Sequence, residues 1–260
     1  MEDVLTLVCQ RYCGLTEEFC GKKKVRRPSC SVSSSKPLKR VVGYYEGWAP
    51  ARSCDRFKPS QIPDGVYTHI NFAFATINPK TFEIAPAAKA DPALYDELAE
   101  KKHIDPNLKV FIAIGGWAFN DPGPTVTTFS DIARSQANQR KFISSVISFM
   151  NRYGFDGVDI DWEYPEAPDR QGRGEDFKNL PNFLANLKGA MRQSGSNNGL
   201  SIAIPASYWY LQHFDIKKIA KHVDFFNLMT YDFHGALSYP PPPPLTLWVG
   251  VSEPQDQLED

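Results

Sequence analysis

Between residues 41 and 233, short apolar runs alternate with longer segments of helical period, and no other feature narrows the possible folds as far. The runs are Val41–Tyr45, Tyr67–Phe74, Lys109–Ile114, Gly157–Tyr164, Leu200–Ile204 and Phe225–Met229. Each has the length and the β-branched or aromatic content of a parallel strand buried on both faces. The segments between them carry helix signals. Asp91 reads as an N-cap with Pro92 at the first helical position, followed by Leu94 and Leu98 on one face. Phe142, Val146, Phe149 and Tyr153 form an apolar stripe that Gly154 ends, and Phe177, Leu180, Leu184, Leu187 and Met191 form another. Strands alternating with helices imply βαβ units in a parallel sheet, an α/β fold. The spacing fits a (β/α)8 or TIM barrel better than a doubly wound sheet, and no G-x-G-x-x-G follows the first run.

The barrel is expected to stop after about its sixth strand. Five consecutive prolines, Pro240–Pro244, follow soon after Phe233, and proline can neither join a sheet ladder nor continue a helix. Six strands would leave two sheet edges and an exposed lumen, so the 260-residue chain by itself is not expected to form a stable, active enzyme. At the other end, Cys9, Cys13, Cys20 and Cys30 crowd into the first 30 residues, Cys54 follows, and the remainder contains none. Zinc would favour C-x-x-C pairs with histidines nearby, and neither is present, so disulfides made in an oxidising compartment are the better reading. The opening residues lack a basic stretch and a full apolar stretch, so no export signal is visible and a missing N-terminal portion is expected. Lys22–Lys24, Arg26, Arg27 and Ser33–Ser35 have the composition of a solvated linker, with a polyanion-binding or nuclear signal as the alternative. The expected organisation is a cysteine-rich module over 1–30, a linker over 31–40, a catalytic domain over 41–238 and a proline-rich tail over 239–260.

Composition excludes several classes. With 42% hydrophobic and 23% charged residues the chain is globular rather than disordered. No window approaches the roughly 18 apolar residues of a membrane span. The 29 basic and 30 acidic side chains supply no general pull toward nucleic acid. A monomer without cofactor or metal is expected.

The strongest local signal is Asp156–Pro165, D-G-V-D-I-D-W-E-Y-P. Alternate side chains of a strand share a face, so Asp159, Asp161 and Glu163 are expected to project together, with Val158, Ile160, Trp162 and Tyr164 facing the other way. In a barrel the first face is the interior, where an unpaired charge costs several kcal/mol. Packing alone does not account for three carboxylates there. Like charges in a confined site cannot all ionise, so Glu163 is expected to have a raised pKa and to serve as a general acid. Calcium or magnesium binding is the competing use, but a straight strand lacks the turning loop and carbonyl ligands of such sites.

These residues resemble the D-x-x-D-x-D-x-E signature of glycoside hydrolase family 18, the chitinases. Ala113–Trp117 resembles the family's second signature, S-x-G-G, with Ala113 in place of the serine, and Met229–Asp232 resembles its sixth-strand motif. The resemblance covers about residues 41 to 233 and is closest to fungal chitinases that carry a chitin-binding module and resemble killer-toxin subunits. It implies a secreted enzyme that cleaves chitin and chito-oligosaccharides at β-1,4 linkages of N-acetylglucosamine, by substrate-assisted catalysis with retention. By position, Glu163 would protonate the glycosidic oxygen, Asp161 would orient the acetamide that attacks the anomeric carbon, and Asp159 would tune Asp161 through a shared proton. Tyr231 would hydrogen-bond the acetamide oxygen, with Asp232 and Met229 lining the same subsite. Asp156, of opposite parity, would be structural. Tyr44, Phe72, Gly116 and Trp117 would contact sugar, Trp117 as a flat apolar face, with Trp48 and Trp209 as weaker candidates. For Tyr231, Asp232, Tyr44 and Phe72 a purely structural role is the alternative. The cysteine-rich head resembles half of a hevein-like chitin-binding module, in which Tyr12 and Phe19 would stack on N-acetylglucosamine. A chitin-binding lectin with a dead barrel is the competing function, and it is opposed by the presence of Glu163. A truncated gene product without activity is the third reading.

Overall fold

The computed structural model describes residues 39–195 and 198–232. The six apolar runs form strands β1 (Val42–Glu46), β2 (His69–Ile77), β4 (Lys109–Gly115), β5 (Gly157–Asp161), β6 (Gly199–Pro205) and β7 (Phe225–Met229). They pair in parallel in the order β1-β2-β4-β5-β6-β7. A short strand missed by the sequence pattern, β3 (Ile84–Pro86), adds antiparallel to the end of β2. The architecture is α/β, a half-barrel parallel sheet with β1 and β7 outermost among the described residues. The cysteine-rich head, with Cys9, Cys13, Cys20, Cys30, Tyr12 and Phe19, lies outside the described residues, as do the five prolines and the expected end of the barrel.

Three longer helices, α1 (Asp91–Ile104), α2 (Gln136–Tyr153) and α3 (Asp176–Gln193), cover the outer face of the sheet. Their apolar stripes are the expected ones. Phe142, Val146 and Phe149 of α2 and Leu180, Leu184, Leu187 and Met191 of α3 are buried with Ile112, Ile114, Val158 and Ile160 of the strands. Burial of each such side chain stabilises the fold by roughly 1.5 to 3 kcal/mol. Helix α2 starts at Ser135, whose hydroxyl accepts from the Asn138 N–H, and ends at Gly154 in the left-handed region, φ 72°. Asp91 is not the cap of α1 but its first residue; its carboxylate reaches back to accept from the Ala88 N–H at 2.7 Å.

At the bottom of the sheet one device occurs twice. Asp156, just before β5, accepts from the Val110 N–H of β4 at 2.8 Å and pairs with Lys102 of α1 at 2.9 Å. Asp224, just before β7, accepts from the Leu200 N–H of β6 at 2.7 Å and pairs with Lys188 of α3 at 2.7 Å. Each aspartate thus satisfies the first orphan donor of the neighbouring strand and ties it to the helix that feeds that strand. Asp156→Ala and Asp224→Ala are each expected to lower unfolding free energy by about 1 to 3 kcal/mol in denaturant titrations. Losses below about 0.5 kcal/mol in both would contradict this role.

Candidate active site

Strand β5 runs with Asp159 and Asp161 on the inner face and Val158 and Ile160 on the helix side. Asp159 is fully buried and collects donors from three other strands. The Tyr44 hydroxyl of β1 donates to Oδ2 at 2.6 Å, the Ser201 hydroxyl of β6 to Oδ1 at 2.6 Å, and the Asn227 amide of β7 to Oδ1 at 3.0 Å. The buried Asn71 amide of β2 faces the same group. Burial leaves the Asp159 pKa raised, although these donors lower it in part. Asp161 is buried too, and its Oδ1 has no hydrogen-bond partner. Burial first, then the charges of Glu163 and Asp159, push its pKa well above the usual carboxylate range.

Glu163 lies beyond the end of β5, so simple alternation does not carry it to the others. Its backbone N–H donates to Asn120 Oδ1 at 3.1 Å, which fixes the turn that returns its carboxyl to the site. Burial raises its pKa to about 7, against lowering by a hydrogen bond from Tyr164 and by the Arg170 charge. Tyr164 therefore departs from the expected outward face: the alternation ends with the strand, its hydroxyl meets Glu163, and its ring stacks on Tyr210 at 4.1 Å. Trp162 keeps the outward face, stacked on Phe129 at 5.6 Å.

The chain crosses the top of β5 through Gly115 and Gly116. Both have positive φ, 110° and 86°, and the Gly116 N–H donates to the Asp161 carbonyl at 2.9 Å. A Cβ on Gly115 would collide with that carbonyl, and one on Gly116 with the Phe74 ring, so only glycine allows this crossing. It delivers Trp117 to the rim, half exposed. Ala113 is buried in register with Asp159, where the family serine would put a hydroxyl.

Other expected residues separate into two groups. Tyr44, in the middle of β1, keeps 41% of its surface exposed, and Trp48, Trp117 and Tyr231, beyond the C-terminal ends of their strands, keep 50%, 50% and 63%. Tyr231 and Asp232 follow β7, and burial, with the nearby carboxylates adding to it, raises the Tyr231 pKa to about 12. Met229 ends β7, partly buried. Phe72 corrects an expectation. It is fully buried against Tyr45 and Tyr95, at ring distances of 5.8 and 4.7 Å, because Asn71 takes the inner face and the next residue must take the outer one. Trp209 likewise packs on the core. The residues not foreseen are Asn71, Ser201, Asn227, Asn120 and Arg170. Ser201 and Asn227 each interrupt an apolar run as its one polar side chain, and Asn71 stands between Ile70 and Phe72, which is the signal that was available.

Residues 40–251 match the family described as glycosyl hydrolases family 18. The chain belongs to this family. Curated relatives include the killer toxin subunits alpha/beta of Kluyveromyces lactis, 32% identical over 96% of this chain and 22% of that protein. They also include the secreted chitinase LysM12 of Penicillium expansum, 34% identical over 86% of this chain and 16% of that one. Among solved structures, a mutant of the Ostrinia furnacalis group II chitinase catalytic domain 2, in complex with (NAG)5, superimposes with a TM-score of 0.68. It is 28% identical, over 75% of this chain and 51% of that chain. The chain thus spans about a fifth of these two curated relatives and half of the solved domain. Among the described residues no helix is long and apolar enough to cross a membrane.

A group whose folded pKa is raised favours the folded state while protonated, so the stability it adds is lost as pH rises from the ordinary carboxylate range through about 7 for Glu163. Between pH 5 and 8 the chain is expected to lose roughly 2 to 3 kcal/mol of unfolding free energy relative to Glu163→Gln. Parallel stability curves for the two in urea would contradict the raised pKa.

Proposed function

We propose that this chain carries the catalytic centre of a chitinase, hydrolysing β-1,4 linkages between N-acetylglucosamine units with retention and substrate assistance. The observation that carries the proposal is the stack of three inner carboxylates with the last, Glu163, at a pKa of about 7. At that value Glu163 still holds a proton to give at neutral pH, and its conjugate base is strong enough to take one back. Glu163 donates its proton to the glycosidic oxygen as the bond to the anomeric carbon breaks. The acetamide oxygen of the same sugar bonds to that carbon and forms an oxazolinium ion, while the acetamide N–H is held by Asp161, whose Oδ1 has no partner within the protein. A water then attacks the anomeric carbon, gives its proton to Glu163 and opens the ring, so that all three groups return to their starting state. Asp159, pinned by donors on three strands, stabilises Asp161 during the passage of charge. Tyr231 and Asp232 would line the acetamide subsite, and Trp117 would offer a face to the leaving sugar. Extracellular action accords with the relative named as a secreted chitinase.

Glu163→Gln is expected to lower kcat by at least about a hundredfold while leaving oligosaccharide binding intact. Wild-type turnover should fall on the alkaline side as pH passes about 7, because the acid is then deprotonated. NMR of fresh products should show the β-anomer, and fully deacetylated chitosan should resist cleavage. α-Anomers at first cleavage, or ready hydrolysis of chitosan, would overturn substrate assistance; full activity of Glu163→Gln would overturn the assignment of the acid.

A further inference from the structure

Arg170 is a charged side chain that the mechanism above does not use, yet it is nearly buried at the rim of the site. It ends the short turn Pro168–Arg170, downstream of the acid. Its guanidinium carbon lies 3.3 Å from the centre of the Trp117 ring. Nη1 bonds Asp121 Oδ1 at 2.6 Å, and Nε lies 3.6 Å from Asp169, which in turn accepts from the Tyr210 hydroxyl at 2.9 Å. Trp117 and Asp121 belong to the loop after β4, the same loop whose Asn120 holds the Glu163 backbone. One side chain from the loop after β5 therefore grips the loop that carries both the aromatic platform and the support of the acid.

We propose that Arg170 is a positioning residue that locks these two loops into one rim, covering one face of Trp117 so that the other is presented to the sugar beside Glu163. The inference rests on the proposed function for its consequence in catalysis. A planar guanidinium can stack on an indole and bond a carboxylate in its own plane at once, which an ammonium cannot. The same cation also acts on the acid. Glu163 is faced by Tyr164 from its own segment, Asp161 of β5, Asp121 from the loop after β4, Arg170 from the loop after β5, and Asp232 and Tyr231 after β7. Among these groups Arg170 is the one cation, and it holds the acid's pKa down.

Two variants separate stacking from charge. Arg170→Lys keeps the charge and loses the stack: KM for N-acetylchito-oligosaccharides should rise about tenfold with the alkaline limb of the pH profile in place. Arg170→Gln loses both, so KM should rise equally and the alkaline limb should move up by about half a pH unit. Asp121→Asn, which removes an anion facing Glu163, should raise KM and move that limb down, and it serves if Arg170→Gln does not fold. The uncomplexed protein gives a readout free of activity. With fluorotryptophan labelling, and the Trp117 signal assigned by Trp117→Phe, that fluorine resonance should shift or broaden in both Arg170 variants. Unchanged KM and an unmoved limb, or an unchanged fluorine signal, would overturn the inference. A wild-type chain that cleaves no oligosaccharide would count against the proposed function instead, and the fluorine signal would then decide this inference alone.

Discussion

Burying Asp159 in the inner face of a parallel sheet dictates much of what surrounds it. A carboxylate removed from water must be matched by donors or give up its charge. Here donors arrive from β1, β6 and β7, each from the residue whose register and parity place it beside β5 or across the lumen from it. Tyr44, Ser201 and Asn227 are thus set by one buried acid, and the strands cannot slip by a residue without exposing it. Above it, Asp161 has one oxygen without a partner, and burial with the charges of Glu163 and Asp159 drives it toward protonation, while Glu163 has a donor in Tyr164 and a cation in Arg170 and burial still raises its pKa to about 7. Three buried carboxylates matched by different partners make a site that can hold and release a proton near neutral pH.

The two ends of the sheet divide the work. At the N-terminal ends, Asp156 and Asp224 close backbone donors and hold helices to strands. At the C-terminal ends the loops carry the acid, the exposed aromatic rings and Arg170, as the barrel architecture favours. Gly115 and Gly116 join the two themes, since only their backbone lets the β4 loop pass directly over Asp161 and place Trp117 at the rim.

Much of this was legible in the sequence because period and parity are local. The six parallel strands, the stripes of α2 and α3, and the common face of Asp159 and Asp161 all follow from spacing. What spacing could not show was where a strand ends. Alternation was extended past Asp161, which put Tyr164 on the wrong face, whereas a hydrogen bond to Asn120 carries Glu163 back to the site. Phe72 was misplaced for a related reason: an aromatic in a strand near a sugar site is as readily core, and the parity of Asn71 decides it. Arg170 could not be foreseen, since its partners come from another loop and no periodic pattern links them.

The central claim is that environment, not residue type, sorts these carboxylates, and a carbon-13 titration of the labelled side-chain carboxyls in the uncomplexed protein tests it most directly. The account predicts that Glu163 titrates near pH 7 and that Asp161 also titrates well above the ordinary aspartate range, the two curves bearing the mark of mutual coupling. Simple curves for both, with midpoints near pH 4 as in exposed carboxylates, would contradict it.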